Sequence, residues 1–262
     1  MKSYKYILSI ALLLSYTKAF CQISDQPNID FEFGNTSVWN YYIGTCCPIA
    51  TPISTPALND RHTITTAGTI VDPYGQFPVV CASCGKYSMK LGNDSIGAQA
   101  EKARYYIHVP PGITNYSIIY HYAVVFEDPG HLPSQQPRFE IIAFDSVSGI
   151  PVPCAQYSYV ASSNLPGFMH STNIDSISDV FYKDWSMGSI NLTGYEGKTI
   201  TLDFSTGDCS LGGHFGYAYI DMSSGLFAIS TVSCDSDKVT LAGPEGYKQY
   251  YWYDSMSCPE IG

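Results

Sequence analysis

The stretch Gly213-His214-Phe215-Gly216-Tyr217-Ala218-Tyr219-Ile220-Asp221 alternates aromatic or apolar side chains with small or polar ones at a period of two, as a strand with one buried face must. Asn28-Ile29-Asp30-Phe31-Glu32-Phe33-Gly34 alternates in the same way near the start of the chain. Together they predict an opening and a closing strand that share one core and lie close in space. Between them, Ala103, Tyr105, Ile107 and Val109 fall on one face of a strand pattern, with Lys102, Arg104, Tyr106 and His108 on the other. Ile118, Tyr120, Tyr122, Val124 and Phe126 line one side of a longer run. Its opposite side, Ile119, His121, Ala123 and Val125, is also largely apolar, which predicts a central strand covered on both faces.

Further strand runs are read at Tyr87 to Leu91, Arg138 to Phe144, Val180 to Trp185, Ser189 to Leu192, Thr199 to Phe204 and Leu226 to Ser230, with short runs around Ile64 and Val79. Cys46 to Asn59 is Pro/Thr-rich and reads as a loop, as does Glu127 to Pro137. No stretch keeps a 3.6-residue apolar period over three turns. The expectation is all-β, with about a dozen strands in two packed antiparallel sheets.

Residues 1–21 carry Lys2 and Lys5, an apolar run from Ile7 to Leu14, and Ala19-Phe20-Cys21. This is the pattern of a secretory leader cleaved after Cys21. A run of about eight residues is too short to span a bilayer core that takes about 20, so no transmembrane segment is expected. Lipidation of Cys21 is a weaker alternative, because Phe20 stands where lipoprotein processing prefers a small residue.

The whole chain of 262 residues carries a formal charge of −10. Without residues 1–21, 10 basic residues face 23 acidic ones and the net charge becomes −13. That balance excludes nucleic acid and anionic lipid as natural partners. It leaves neutral partners such as glycans, or cations. The core is ample, at 45% hydrophobic with 22 tyrosines.

Eight of the nine cysteines follow the leader: Cys46, Cys47, Cys81, Cys84, Cys154, Cys209, Cys234 and Cys258. An even number in an exported chain predicts disulfides. A zinc site from Cys46, Cys47, Cys81 and Cys84 is the rival reading, weakened by the absence of a repeated C-x2-C pair. The expected bridges are Cys154 to Cys209, and Cys46 or Cys47 to Cys81 or Cys84, since the two clusters offer partners across one loop-rich stretch.

No nucleophile elbow, H-E-x-x-H helix, P-loop or dinucleotide fingerprint is present, so the chain is read as a non-enzyme. Glu127 and Asp128 are adjacent, and neighbouring strand residues point to opposite faces, which speaks against a glycosidase pair on one sugar. His214, between glycines and aromatics, is read as shaping a turn rather than binding metal or ligand. Exposed tyrosines beside polar side chains would suit the C–H face of a sugar.

Taken together, Asn28 to Gly34, Trp39, Tyr87-Ser88-Met89-Lys90-Leu91 and Gly213 to Asp221 resemble the opening, middle and closing strands of jelly rolls of the carbohydrate-binding-module, galactose-binding-like and MAM-like type. Asn191 to Ile200 is similar to the strand, tight turn and strand found late in such domains. With Asp128-Pro129-Gly130-His131 and the C-terminal segment, the ensemble resembles the N-terminal part of large multidomain surface proteins of gliding Bacteroidota. The resemblance implies a two-sheet antiparallel jelly-roll sandwich over residues 22–230. From Thr231, a cysteine-bearing strand at Cys234 and a Trp252-bearing one resemble the onset of an Ig-like domain over 231–262. That domain would be incomplete, because two strands bury no core of their own; extra strands on the sandwich are the alternative.

The resemblance further implies a secreted or cell-surface module for glycan binding or adhesion, with a purely structural module as the alternative and a polysaccharide hydrolase the least favoured. It also implies a structural Ca²⁺ joining Glu32 to Asp221, hard oxygen ligands that would clamp the termini of the fold; ordinary strand carboxylates are the competing reading. Ser95, Ser146 and Ser176, each between Asp and Ile or Val, resemble O-glycosylation acceptors of exported Bacteroidota proteins.

Overall fold

The computed structural model describes residues 26–172, 179–226, 230–235 and 238–242. The leader, Ser176 and the Trp252 segment of the expected Ig-like onset lie outside the described residues. Among the described residues there is no helix, and therefore none long and apolar enough to cross a membrane.

Twelve strands form two six-stranded sheets. In chain order they are β1 Asn40–Thr45, β2 Ala50–Thr55, β3 His62–Thr66, β4 Tyr87–Leu91, β5 Gln99–His108, β6 Tyr116–Asp128, β7 Arg138–Asp145, β8 Pro151–Val160, β9 Met169–His170, β10 Asp179–Asn191, β11 Thr199–Gly207 and β12 Gly216–Leu226. One sheet runs β2-β1-β5-β11-β7-β8 and the other β3-β4-β12-β6-β10-β9. Every pairing is antiparallel. This is the expected jelly-roll sandwich. Strands β13 Ser230–Asp235 and β14 Lys238–Ala242 pair with each other in a separate two-stranded sheet.

The main core lies between the sheets. Its largest members include Phe31, Trp39, Tyr105, Tyr120, Phe126, Phe139, Phe204 and Ile220. Tyr105 and Ile107 point in while Tyr106 and His108 point out, as the period-two pattern requires.

A second apolar layer explains why β6 is buried on both faces. Phe77, Val79 and Val80, from the connection between β3 and β4, pack with Ala123, Val125, Val180, Phe215, Tyr217 and Tyr219 on the outer face of the second sheet. Asp72, fully buried, pins this connection. Its Oδ2 accepts from the Tyr217 hydroxyl at 2.7 Å and the Tyr219 hydroxyl at 3.0 Å. Its Oδ1 accepts from the amides of Tyr74 at 2.9 Å and Gly75 at 2.7 Å. Trp185 Nε1 adds a bond to the Pro78 carbonyl at 2.7 Å. The second sheet is thus covered on both sides, and among the described residues the outer face of the first is left open.

Several expectations are corrected. Asn28 to Gly34 is not a strand but a series of turns, with Asn28 and Phe31 at positive φ and the Gly34 amide bonded to the Phe31 carbonyl. Ile29 and Phe31 still bury, because Phe31 stacks on Trp39 at 4.6 Å and Trp39 Nε1 donates to the Asn28 carbonyl. Strand β12 starts at Gly216 and is buried on both faces from Tyr217 to Met222 rather than on one, since Tyr217 and Tyr219 lie under the Asp72 connection. Strand β2 occupies part of the expected Cys46–Asn59 loop; it is an edge strand, where Pro52 costs no ladder bond. The runs at Val180 and Ser189 are one strand, β10, interrupted by an irregularity between Lys183 and Ser186.

Candidate functional site

The registers of β1, β5, β11, β7 and β8 bring outward side chains into rows across the first sheet. Asn40, Arg104, Asp203, Ile142 and Gln156 stand side by side, and Tyr42, Lys102, Ser205, Glu140 and Ser158 form the next row. On the other side of the first row, Tyr106, Thr201 and Phe144 stand side by side, with Thr201 between the two rings. Among the described residues no loop comparable to the one on the second sheet packs here: Tyr106 is 38% exposed, and Tyr42 and Phe144 are half-buried.

Arg104 organises this face. Its Nε donates to Asp203 Oδ1 at 2.6 Å and its Nη2 to Oδ2 at 2.8 Å, the bidentate geometry that fixes a guanidinium in one plane. The Lys102 ammonium reaches Asp203 Oδ2 at 3.1 Å. The guanidinium lies 5.3 Å from the Tyr42 ring centroid and 5.6 Å from that of Phe144, within cation–π range. The hydrogen bonds to Asp203 hold Arg104 above its ordinary pKa against the opposing effect of burial. The result is a rigid strip of donors and an acceptor, bordered by three part-exposed rings on strands rather than loops. Such a strip can stack an apolar ring face and hydrogen-bond the hydroxyls around it.

A polar recess of about 460 Å³ opens at Leu58, Asn59, Asp60, Arg61, Asn93, Ser95 and Gln99. Arg61 there is engaged by Glu101, which also accepts from Thr206 Oγ1 at 3.0 Å. Burial raises the Glu101 pKa, and Arg61 opposes the rise. The recess has no aromatic wall.

The two carboxylates expected to hold Ca²⁺ line a single cleft of about 340 Å³, together with Asp30, Ser83, Cys84, Gly85, His121, Met222 and Ser223. Glu32 reaches it from the opening turns, where its Oε1 accepts from the amides of Lys86 at 2.7 Å and Tyr87 at 3.0 Å. Asp221 reaches it from β12, where Oδ2 accepts from Ser88 Oγ at 2.8 Å and Oδ1 from the Met222 amide at 2.7 Å. Burial pushes the Asp221 carboxyl up to about 8, against these two bonds and with the help of Asp30 and Glu32. The opening and closing segments are therefore neighbours, although only one is a strand.

The expected disulfide pairings are corrected. Cys46 bonds Cys47, and Cys81 bonds Cys84. Each cluster closes on itself, which also removes the four thiolates of the zinc reading. Cys154 is exposed and Cys209 buried, and neither is in a disulfide. They cannot meet: Cys154 lies on β8 between the partners of Ile142 and Phe144, whereas Cys209 follows Gly207, which pairs with Arg138 at the far end of β7. Several residues at about 3.3 Å each separate them, beyond the Cα separation of about 7 Å that a bridge allows.

Asp128, one of the pair weighed for catalysis, caps a turn: its Oδ1 accepts from the Gly130 amide at 2.9 Å and Gln136 Nε2 at 2.6 Å. Ser95 is exposed, while Ser146 is half-buried with its hydroxyl 2.7 Å from that of Thr201. The Arg104–Asp203 strip is absent from the residues singled out in the sequence. The only signal for it was the charged and aromatic face Lys102, Arg104, Tyr106 and His108, which reads as ordinary solvated surface until Asp203 is brought beside it.

No protein-family model matches the chain, and no curated protein matches it. Among solved structures, the chain is similar to TmCBM61 in complex with β-1,4-galactotriose, at 11% identity and a TM-score of 0.38, covering 76% of this chain and 96% of that one. It is similar to CBM27-1 of Caldicellulosiruptor saccharolyticus in complex with mannohexaose, at 12% identity and a TM-score of 0.37, covering 75% and 93%. It is also similar to the K1 cleaved adhesin domain of Lys-gingipain from Porphyromonas gingivalis, at 8% identity and a TM-score of 0.32, covering 72% and 91%.

Proposed function

We propose that this chain is a secreted or cell-surface, non-catalytic β-sandwich module that binds a neutral glycan across the outer face of its first sheet. The observation that carries the reading is the Arg104–Asp203 pair set between Tyr42, Tyr106 and Phe144 on a sheet face that no loop covers among the described residues. Tyr106 and Phe144 would pack the C–H faces of successive sugar rings, and Arg104, Asp203 and Lys102 would bond their hydroxyls. Because strands already hold these groups, little conformational entropy is lost on binding. The acidic balance of the chain favours a neutral ligand over an anionic one. Two disulfides and the leader-like start suit an oxidising compartment. The large multidomain Bacteroidota context and the Ig-like continuation remain part of this proposal.

A glycan array probed with the full chain tests it. Binding to neutral polysaccharide is expected, weakened about 5–30-fold by Tyr106→Ala, as for loss of a 1–2 kcal/mol aromatic contact. Absence of binding across the array, or binding that Tyr106→Ala and Arg104→Ala leave unchanged, would favour a purely structural module.

The shared cleft of Glu32 and Asp221 supports a second, compatible element, a structural Ca²⁺. Both side chains offer hard oxygen donors from the two ends of the sandwich. Asp221 would have to ionise to take the ion.

A further inference from the structure

At the end of the sandwich where β6 passes to β7 and β11 to β12, two histidines and a thiol converge. One ligand atom from each of His131, Cys209 and His214 lies within 4.8 Å of the other two. The Cys209 Sγ is 3.3 Å from His214 Nδ1, and the two imidazole rings meet edge to face with centroids 5.2 Å apart.

The backbone holds this arrangement in place. The Cys209 amide donates to the His214 carbonyl and the Gly212 amide to the Cys209 carbonyl, closing the turn between β11 and β12. The Ser210 amide donates to the Gln135 carbonyl, tying that turn to the loop that carries His131. Asp128 caps the same loop.

Two features go beyond a local hydrogen bond between Cys209 and His214. His131 Nδ1 is buried and has no hydrogen-bond partner, a costly condition for a ring nitrogen unless something else accepts its lone pair. Cys209 is fully buried as a free thiol. Two imidazoles and a thiol, with no carboxylate among them, form a donor set suited to a borderline metal such as Zn²⁺ and not to Ca²⁺ or Mg²⁺.

We propose that His131, Cys209 and His214 bind a divalent transition-metal ion of the Zn²⁺ class. The Cys209 S–H proton passes to solvent as the metal–sulfur bond forms. Three protein ligands leave a fourth position of a tetrahedral ion for water or an incoming donor. The ion would link the β6–β7 and β11–β12 connections, on residues distinct from both the Arg104 strip and the Glu32–Asp221 cleft. The second group of this kind, Cys81, Cys84 and His121, has both sulfurs in a disulfide and is not available as a thiolate set.

The test uses the full chain with its disulfides intact and Cys209 as the free thiol, freed of metal by EDTA and dialysis under exclusion of oxygen, titrated calorimetrically with ZnCl₂ and separately with CoCl₂ followed by absorption. One Zn²⁺ per chain is expected, and Co²⁺ should give a thiolate-to-metal charge-transfer band. His131→Ala and His214→Ala should each weaken zinc at least about 100-fold, beyond the 10–100-fold typical for loss of an outer-shell partner. Cys209→Ser should lose the charge-transfer band, while His121→Ala and Cys154→Ser leave binding and spectrum unchanged. His131→Ala lies on a surface loop, so it keeps the test decisive if Cys209→Ser fails to fold. No zinc binding by the folded full chain, or binding that His131→Ala and His214→Ala do not weaken, overturns the proposal.

Discussion

Replacing Asp72 by Ala removes one buried carboxylate and leaves four donors without their acceptor: the hydroxyls of Tyr217 and Tyr219 and the amides of Tyr74 and Gly75. An unsatisfied buried polar group costs about 1–3 kcal/mol. Water entering the cavity would satisfy some of the four, so the expected loss is about 3–5 kcal/mol rather than the full sum. For a domain of this size, about 2–4 °C per kcal/mol makes that a fall in Tm of roughly 6–20 °C. Phe77, Val79 and Val80 remain buried against the sheet, so the connection loosens rather than leaves. Tyr217→Phe removes a single donor to the carboxylate and should cost about 1.5–3 kcal/mol. In a double-mutant cycle, Tyr217→Phe should therefore cost less in the Asp72→Ala background than in the parent. Denaturant unfolding measures all of this directly. The folded Asp72→Ala protein should keep its glycan affinity, because Asp72 lies under the second sheet and the Arg104 strip is on the far side of the first. If Asp72→Ala lies within about 1 kcal/mol of the parent, the carboxylate does not hold the connection and the account of the second apolar layer is wrong.

Other outcomes can be checked as readily. With EDTA present, the raised Asp221 carboxyl contributes stability that is complete below its unfolded pKa near 3.8 and is lost as pH rises through about 8; Asp221→Asn should flatten that fall, and a parent whose stability does not decline over this window would refute the shift. Millimolar Ca²⁺ should raise Tm by roughly 5–10 °C, from the 2.7 kcal/mol expected at 100 times Kd, and Glu32→Ala or Asp221→Ala should each remove the rise; identical curves in Ca²⁺ and EDTA would end the clamp. Non-reducing peptide mapping should place the Cys46–Cys47 and Cys81–Cys84 bridges each within one peptide. Cys154 should alkylate in the native state and Cys209 only after unfolding.

The alternation along Lys102 to Val109 and the two-sided apolar run of β6 made the strand class, the in-and-out facing of β5 and the central place of β6 legible in the sequence, because both follow from the period-two geometry of a strand. The same rule failed where something other than a sheet imposed the alternation. Ile29 and Phe31 bury from turns, packed against Trp39, and a turn can point every second side chain inward as well as a strand can. Strands β2 and β8 were missed because edge strands tolerate proline and exposed polar residues.

What only the tertiary structure decided was which distant residues meet. Nothing local in the sequence says that Asp203 reaches Arg104, 99 positions away across the β5–β11 register, or that Asp72, on the connection between β3 and β4, reaches Tyr217, 145 positions away. The cysteines carry the same lesson. Their even number fitted an oxidising compartment, yet partner choice depends on Cα separation, and the registers of β11 and β8 on β7 set Cys154 and Cys209 several residues apart along that strand while each close pair closed on itself. The β6–β7 and β11–β12 connections likewise brought Cys209 beside two histidines.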